Sequence, residues 1–298
     1  MNMQSAFISN IEATYGEAGT LWLAQLPSHL TRLSKQWDFH LIQPMADLSY
    51  SFVALAALNT SQEIVILKTA PQDGSLISEV KWLQYFKKGV PRVYQFDEEK
   101  NAFLMERLEP GTTLKTWVNK GEDEAATRII CQLILALQSE QHTPPAFKPL
   151  STLAISLPLL KGKMDDLIVS KAESLFQALS SDCKHDVLLH GDLHHDNILA
   201  SDSSWKTIDP HGYIGDPAAE VGAMIRNPFD CFPTNLPLKK VIERRLTILC
   251  EMLPFDSKRI EAWAFCITML SAAWDIEGFG KISGNKAEIA HIIHQIIS

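Results

Sequence analysis

The chain has 298 residues, of which 46% are hydrophobic and 21% are charged, a balance typical of a folded globular protein rather than a disordered one. Its formal net charge of −8 argues against a nucleic-acid partner, because nucleic acids select basic surfaces. The longest apolar segment, residues 262–274, is too short to cross a bilayer and predicts a helix in a protein core.

The cysteines are scattered, odd in number and form no Cys-x-x-Cys pair, so we interpret them as buried thiols in a reducing compartment. They are Cys131, Cys183, Cys231, Cys250 and Cys266. The first residues show no basic segment followed by an apolar block, and therefore predict no secretory signal. We expect a cytoplasmic protein, monomeric or weakly dimeric, that binds neither nucleic acid nor membrane.

The N-terminal third predicts helices followed by a mostly antiparallel sheet. Two helices are expected to end near Trp37, with Pro27 breaking or kinking the second of them. Short apolar and β-branched runs predict strands near residues 39–42, 52–59, 64–69, 90–96 and 102–106. This pattern gives way to helical spacing beyond residue 114, which indicates a second, mainly helical lobe.

A lysine and a glutamate follow one another in the N-terminal third, the first on a predicted strand and the second on the next predicted helix. Lys68 ends a β-branched run, and Glu79 lies early in the helix that follows a turn-prone segment. Kinases use a strand lysine to hold the nucleotide phosphates and a helical glutamate to orient it. Either residue alone would more often be a solvated surface charge, so the prediction depends on their order and on the motif downstream.

Two further stretches of the N-terminal lobe fit nucleotide binding. Residues 47–54 occupy the place of a phosphate loop but lack glycine, so Ser49 and Ser51 are the candidate phosphate donors. Met105, Glu106 and Leu108 lie where a strand leaves the lobe, and we expect the backbone there to contact adenine. Met105 could act as a gatekeeper, although a methionine is by default a packing residue.

The most informative stretch is residues 189–199, which read Leu-His-Gly-Asp-Leu-His-His-Asp-Asn-Ile-Leu. Phosphoryl transfer needs a carboxylate that orients the attacking hydroxyl and oxygen ligands that hold Mg²⁺ against the nucleotide phosphates. Asp192 is the candidate for the first task, and Asn197 and Asp209 for the second. The Asp-to-Asn spacing is that of the kinase catalytic loop, which predicts transfer of phosphate from ATP with Mg²⁺.

Other interpretations of this segment stay open at the level of sequence. The histidines and aspartates of residues 190–196 could form a transition-metal site, as in a metallohydrolase built on His190, Asp192 and His194. The polar run could also be a capped turn between strands. A nucleotide-binding regulator without turnover is a further alternative, although a degenerate kinase normally lacks one of Asp192, Asn197 and Asp209.

These residues resemble the aminoglycoside phosphotransferase branch of the protein-kinase-like superfamily, and within it the group of streptomycin 6-phosphotransferases and hydroxyurea phosphotransferases. The matching segments are residues 21–27, Trp37, Lys68 with Glu79, and residues 190–199, 208–220, 226–228 and 270–274. The resemblance implies a bilobal α+β fold, with a nucleotide-binding lobe at residues 1–107 and a catalytic and acceptor-binding lobe at residues 108–298. It also implies that a glycine-poor phosphate loop suffices. His211 departs from the small, apolar or lysine residue expected after the Asp-Pro pair.

The resemblance implies transfer of the γ-phosphate of ATP to a hydroxyl of a streptomycin-type aminoglycoside or of hydroxyurea, and thus antibiotic resistance. A cationic acceptor binds well to carboxylates that converge in a cleft. We therefore expect an acceptor site in the C-terminal lobe, made of Glu220, Asp230, Asp275 and Glu277 with aromatic support from Trp274. An unidentified metabolic hydroxyl compound is the alternative acceptor.

Overall fold

The computed structural model of the protein describes residues 5–46, 48–183, 185–228, 230–233 and 236–297. Asp47, at the start of the expected phosphate loop, lies outside these residues. The chain divides into two compact units, Met1–Tyr85 with Pro91–Leu108, and Phe86–Val90 with Glu109–Ser298. A single boundary after residue 107 does not describe this division, because Phe86–Val90 packs with the second unit.

The first unit combines helices with an antiparallel sheet of five strands in the order β1-β2-β3-β5-β4. Its elements are α1 (Ser5–Trp37), β1 (Phe39–Pro44), β2 (Phe52–Leu58), β3 (Ile64–Thr69), α2 (Ser75–Tyr85), β4 (Val93–Asp97) and β5 (Ala102–Glu106). The fourth strand begins three residues later than expected, beyond Pro91, which lacks the N–H that a ladder needs.

The predicted pair of N-terminal helices is the two pieces of α1, which meet at Gly16 with a positive φ of 56°. The second piece continues through Pro27, so this proline does not end the helix. Leucines at helical spacing bury one face of this piece and pack it into the core of the first unit, which compensates for the hydrogen bond that proline removes. They are Leu23, Leu26, Leu30 and Leu33.

The second unit is mainly helical and carries two small sheets. Its helices are α3 (Lys115–Asn119), α4 (Asp123–Ser139), α5 (Asp166–Ser181), α6 (Gly222–Ile225), α7 (Leu238–Met252), α8 (Ser257–Phe279) and α9 (Lys286–Ile297). Its strands are β6 (Pro110–Thr113), β7 (Lys148–Pro149), β8 (Val187–Leu189), β9 (Ile198–Ser201), β10 (Ser204–Thr207) and β11 (Tyr213–Gly215). The sheet orders are β10-β9-β6 and β7-β11-β8, and short 3₁₀ helices span Leu150–Leu160, His195–Asn197 and Pro217–Val221.

Helix α8 is the centre of the second unit. It is buried on nearly every side, as expected for a helix without a polar face, and it contains the predicted core segment 262–274. Asp216 ties α8 to the 3₁₀ helix Pro217–Val221, because its carboxylate accepts the Trp263 indole N–H at 2.6 Å and the Ala218 N–H at 2.9 Å. Arg259 donates its Nε–H to the same carboxylate. This contact fixes the segment that carries Glu220.

The cysteines are all free, and two of them, Cys131 and Cys266, are buried as expected. Burial raises the pKa of the Cys131 thiol to about 12, so this thiol is protonated at neutral pH. The other three are only partly buried, which corrects the expectation of uniform burial. Among the described residues, no helix combines the length and apolar character that a membrane crossing needs.

Candidate active site

Residues 190–197, which we call the catalytic loop because they carry the predicted catalytic residue Asp192, connect β8 to β9. The loop leaves β8 through Gly191, which adopts a positive φ of 82°. A Cβ at this position would lie 2.7 Å from the ring of Tyr213, so only glycine satisfies both the backbone conformation and the close approach. Tyr213 belongs to β11, which pairs with β8 in antiparallel register. The pairing of β8 with β11 thus fixes the backbone position of Gly191, the residue before Asp192.

His190 joins the two segments that carry the predicted catalytic groups. Its Nδ1 accepts the Asp192 N–H at 3.2 Å, which assigns the proton to Nε2, where the Ile208 carbonyl oxygen accepts it at 2.9 Å. Burial lowers the pKa of His190 to about 3, so the ring is neutral. Both ring nitrogens are engaged, and His190 therefore cannot serve the metallohydrolase alternative as a ligand.

Asp192 lies among three polar side chains. His194 Nε2 is 3.3 Å from Oδ2, Asn197 Nδ2 is 3.4 Å from the same oxygen, and the Arg226 guanidinium is 3.5 Å from Oδ1. Burial acts to raise the pKa of Asp192, but His194 and Arg226 outweigh it and hold this pKa well below its usual range. The carboxylate is ionised, the form that accepts a hydrogen bond from a substrate hydroxyl.

Burial acts to lower the pKa of His194, yet bonds with Asp192 and Asp196 raise it to about 9. His194 Nδ1 accepts the Asp196 N–H at 3.2 Å, which places the ring hydrogen on Nε2, the nitrogen that faces Asp192 at 3.3 Å. This N–H group stabilises Asp192 in its ionised form and fixes the orientation of the carboxylate.

Asn197 and Asp209 are close to each other through the backbone, because the Ile208 N–H donates to the Asn197 carbonyl oxygen at 2.9 Å. The Asn197 side-chain nitrogen donates to the Asp192 carbonyl oxygen at 3.0 Å, which leaves the amide oxygen as the atom that could bind a metal ion. Asp209 has a φ of 58°, a conformation that non-glycine residues adopt rarely and often at functional sites. An amide oxygen and a carboxylate are hard donors that suit Mg²⁺.

The described residues contain no group of three or more His, Cys, Asp or Glu side chains arranged to hold a metal ion. Asn197 and Asp209, the predicted metal ligands, are therefore candidates to hold Mg²⁺ only together with substrate phosphates, since Mg²⁺ can be bound by one or two protein ligands plus phosphate oxygens.

Glu220 occupies a different place from the one expected for an acceptor ligand. It is 7% exposed, and its carboxylate oxygens accept the backbone N–H groups of His190 at 2.7 Å and Gly191 at 3.1 Å. Burial raises the pKa of Glu220 to about 7, against the effect of these two bonds. Glu220 therefore holds the backbone of the catalytic loop in place. Because both of its carboxylate oxygens are already bonded inside the protein, its use as an acceptor ligand is disfavoured.

The remaining acceptor candidates are dispersed over the second unit. Asp275 is buried and pairs with Lys286 at 2.6 Å, so its charge is already compensated inside the protein. Asp230 pairs with Lys115 at 2.6 Å and keeps 63% of its side chain exposed. Glu277 is exposed on α8, and Trp274 is partly buried against the core. Of the four acidic candidates, Asp230 and Glu277 remain open to a ligand.

The nucleotide-side candidates lie in the first unit. Lys68 Nζ is 2.7 Å from Glu79 Oε2, and both residues are buried, at 7% and 6% exposure. Met105 is buried within β5, and the side chain of Glu106 at the end of that strand accepts the Arg92 N–H at 2.9 Å. Leu108 is buried, Ser49 is exposed and Ser51 is partly exposed just before β2.

Residues 46–278 match the sequence model of the family described as "Aminoglycoside/hydroxyurea antibiotic resistance kinase". The chain belongs to this family. The membership makes it a phosphotransferase that acts on a small molecule with a hydroxyl acceptor, and it removes the metallohydrolase interpretation.

Named relatives agree with the assignment to this kinase family. Streptomycin 6-kinase of Streptomyces griseus is 24% identical over 93% of this chain and 92% of its own length. Streptomycin 3''-kinase of Klebsiella pneumoniae is 32% identical over 63% of this chain and 71% of its own length. Hydroxyurea phosphotransferase of Kitasatospora aureofaciens is 24% identical over 92% of this chain and 80% of its own length.

Solved structures show the same fold. The choline kinase LicA of Streptococcus pneumoniae aligns with a TM-score of 0.61 and 14% identity over 92% of this chain and 99% of its own. The aminoglycoside phosphotransferase APH(4)-Ia, in a ternary complex with ADP and hygromycin B, aligns with a TM-score of 0.59 and 14% identity over 90% and 97% of the two chains. The bilobal α+β kinase fold expected from the sequence is confirmed.

Two functional neighbours of Asp192 in this family member were not predicted as such from the sequence. His194 was considered only as a metal ligand, and Arg226 only as part of the resemblance. The alternation of Asp192, His194 and Asp196 in a loop, where side chains two apart can pair, was the available signal for His194. Arg226 is distant in sequence, and its contact with Asp192 depends on tertiary packing.

Proposed function

We propose that this kinase transfers the γ-phosphate of ATP, with Mg²⁺, to a hydroxyl group of a streptomycin-type aminoglycoside or of hydroxyurea. The single observation that carries the proposal is the ionised Asp192 carboxylate beside Asn197, whose amide nitrogen is bonded to the loop backbone. This arrangement combines a group that orients an acceptor hydroxyl with an oxygen ligand for the metal.

In the proposed reaction Asp192 accepts the hydrogen bond of the acceptor hydroxyl and orients its oxygen toward the γ-phosphorus. Asn197 and Asp209 would hold Mg²⁺, which would supply positive charge to the phosphates. Lys68, kept in position by Glu79 at 2.7 Å, binds the nucleotide phosphates. The Ser49 and Ser51 loop contributes hydroxyl and N–H donors, and residues 105–108 contact the adenine.

The two streptomycin relatives are named for different positions on the same antibiotic, position 6 and position 3''. The acceptor atom in this chain is therefore a separate part of the proposal. Glu220 accepts backbone N–H groups and Asp275 pairs with Lys286, so two of the four predicted carboxylates are already used inside the protein. Fewer carboxylates are left to bind a polycation than the sequence suggests. This favours a small neutral acceptor such as hydroxyurea as the second candidate.

A coupled ADP-release assay with streptomycin, hydroxyurea and common sugar alcohols tests the proposal. We expect Mg²⁺-dependent ADP release with streptomycin or hydroxyurea, and NMR of the isolated product identifies the phosphorylated oxygen. Turnover of a sugar alcohol alone would assign the chain to metabolism. Absence of acceptor-dependent ADP release across the panel would contradict the proposed substrate classes.

A further inference from the structure

Arg226 follows α6 and places a buried positive charge beside the catalytic carboxylate. One terminal nitrogen is 3.5 Å from Asp192 Oδ1, and only 10% of the side chain is exposed. A charge-assisted bond between a guanidinium and a carboxylate normally measures about 2.7–2.9 Å. Arg226 and Asp192 therefore attract each other electrostatically but do not form a bidentate hydrogen-bonded pair.

The guanidinium of Arg226 is not fully used by the protein. It carries five N–H donors in a planar fork, yet its buried Nε has no hydrogen-bond partner in the part of the chain that the structure describes. A buried charged group with an unsatisfied donor is costly unless a ligand completes it. The planar fork matches the oxygens of a phosphoryl group, which accept two parallel N–H bonds.

The backbone on either side of Arg226 is held rigidly. Arg245, which is fully buried on α7, donates to the carbonyl oxygens of Met224 at 3.0 Å and Asn227 at 2.6 Å. The opposite edge of the Arg245 guanidinium pairs with Asp123 on α4. Arg226 is thus presented from a fixed segment, which is the requirement for electrostatic stabilisation without reorganisation during the reaction.

A hydroxyl bonded to Asp192 would stand about 3 Å from it, with the phosphorus about 3 Å further. An arginine 3.5 Å from Asp192 Oδ1 can therefore reach the oxygens of that phosphoryl group. We propose that Arg226 is a further catalytic residue, whose guanidinium binds the phosphoryl group while it passes to the acceptor hydroxyl. The assignment rests on the proposed function.

The covalent step is balanced without any contribution of electrons from Arg226. The acceptor O–H proton passes to the Asp192 carboxylate as the acceptor oxygen bonds to the γ-phosphorus. The bond from this phosphorus to the bridging oxygen breaks, and its electron pair leaves on ADP. Arg226 donates hydrogen bonds to the oxygens that gain charge in transit and is unchanged at the end.

The experiment compares Arg226→Gln, Arg226→Lys and the wild type in turnover and in calorimetric titration with Mg·ADP, with and without aluminium fluoride. We expect Arg226→Gln to lower kcat about a thousandfold, as for an arginine supplied in cis, with the ATP KM nearly unchanged. Aluminium fluoride should raise the affinity of the wild type for Mg·ADP, an increase that we call the fluoride gain. Arg226→Gln should lose this increase while it keeps the wild-type affinity for Mg·ADP alone. Arg226→Lys keeps the charge without the fork and should recover part of kcat.

Arg244→Gln is the matched control, because Arg244 Nε is also buried without a partner but its terminal nitrogens pair with Asp123 and Glu124. It should lower the unfolding midpoint and leave kcat and the fluoride gain unchanged. A kcat for Arg226→Gln within about tenfold of wild type would overturn the proposal. So would a wild type that gains nothing from fluoride, or an Arg226→Gln that keeps the gain. If the wild type turns over neither streptomycin nor hydroxyurea, the acceptor assignment fails, and the fluoride titration still decides the role of Arg226.

Discussion

At the scale of single residues, the catalytic loop is supported by a carboxylate that is separate from the groups proposed to contact substrate. Glu220 accepts the N–H groups of His190 and Gly191, the two residues directly before Asp192. Its burial raises its pKa from 4.5 to about 7. A carboxyl group whose pKa is raised by folding keeps its proton up to a higher pH in the native state than in the unfolded state.

The sign of this linkage gives a prediction for stability. Between pH 4.5 and about 7 the native protein binds more protons at Glu220 than the unfolded chain does, so this group's contribution to stability falls as pH rises through that window. The total loss is about 3 kcal/mol by linkage. In urea titrations at several pH values, we expect the difference in free energy of unfolding between wild type and Glu220→Gln to shrink from about pH 5 to pH 8. The other titrating groups are shared by the two proteins, so their contributions cancel in this difference. A difference independent of pH would exclude titration of Glu220 in this range.

Lys68 gives a second prediction at this scale. Removing a charged donor to the phosphates, as in Lys68→Ala, should lower kcat/KM for ATP by about tenfold to a hundredfold. Glu79→Ala should act in the same direction with a smaller effect, because it only releases the lysine. Lys81→Ala, an exposed lysine on the same helix as Glu79, is the control and should match the wild type. An unchanged kcat/KM for Lys68→Ala would remove Lys68 from the nucleotide site.

At the scale of elements, α4 and α7 are joined by a buried ion pair. Arg245 and Asp123 are 0% and 1% exposed in their side chains, and the same arginine binds the carbonyl oxygens that end α6. Asp123→Ala leaves the guanidinium buried without its counter-charge and should reduce the free energy of unfolding by about 3–5 kcal/mol. Glu124→Ala removes the adjacent exposed carboxylate and should cost less than about 1 kcal/mol. Urea denaturation measures both, and equal losses would contradict the role of burial.

Elements with a strong local pattern were predictable from the sequence. The β-branched run of β3 and the apolar segment 262–274 within α8 coincide with the observed elements, because local pattern and core burial agree there. Pro27 was harder to interpret, since the cost of a proline inside a helix depends on the packing that compensates it. The grouping of Phe86–Val90 with the second unit depends on tertiary contacts and has no local pattern.

The candidate site divides in the same way. Asp192, Asn197 and Asp209 lie in a motif with fixed spacing, so the sequence alone could propose their roles. Glu220 carries a charge that suggested a ligand, and only its burial and its bonds to backbone N–H groups indicate a supporting task. Charge is visible in a sequence, whereas the partner that compensates it is not.

At the scale of the whole molecule, the net charge of −8 distinguishes the two acceptor classes. A protein of this sign attracts a polycation over distances comparable to the Debye length, and salt weakens that attraction. We expect KM for streptomycin to rise with ionic strength, while KM for neutral hydroxyurea stays nearly constant. Steady-state kinetics at increasing NaCl, with ATP saturating, measure this. A streptomycin KM independent of salt would show that the overall charge does not assist acceptor binding.

The most direct test of the account is the turnover of Asp192→Asn, which keeps the shape of the side chain and removes the charge that orients the acceptor hydroxyl. We predict that kcat falls at least about a hundredfold, as for loss of a positioned base, while the affinity for Mg·ATP is nearly unchanged. Asp202→Asn, at an exposed turn with a φ of 50° that asparagine tolerates, is the control and should keep wild-type turnover. Near-normal turnover by Asp192→Asn, with any acceptor that the wild type phosphorylates, would contradict the account.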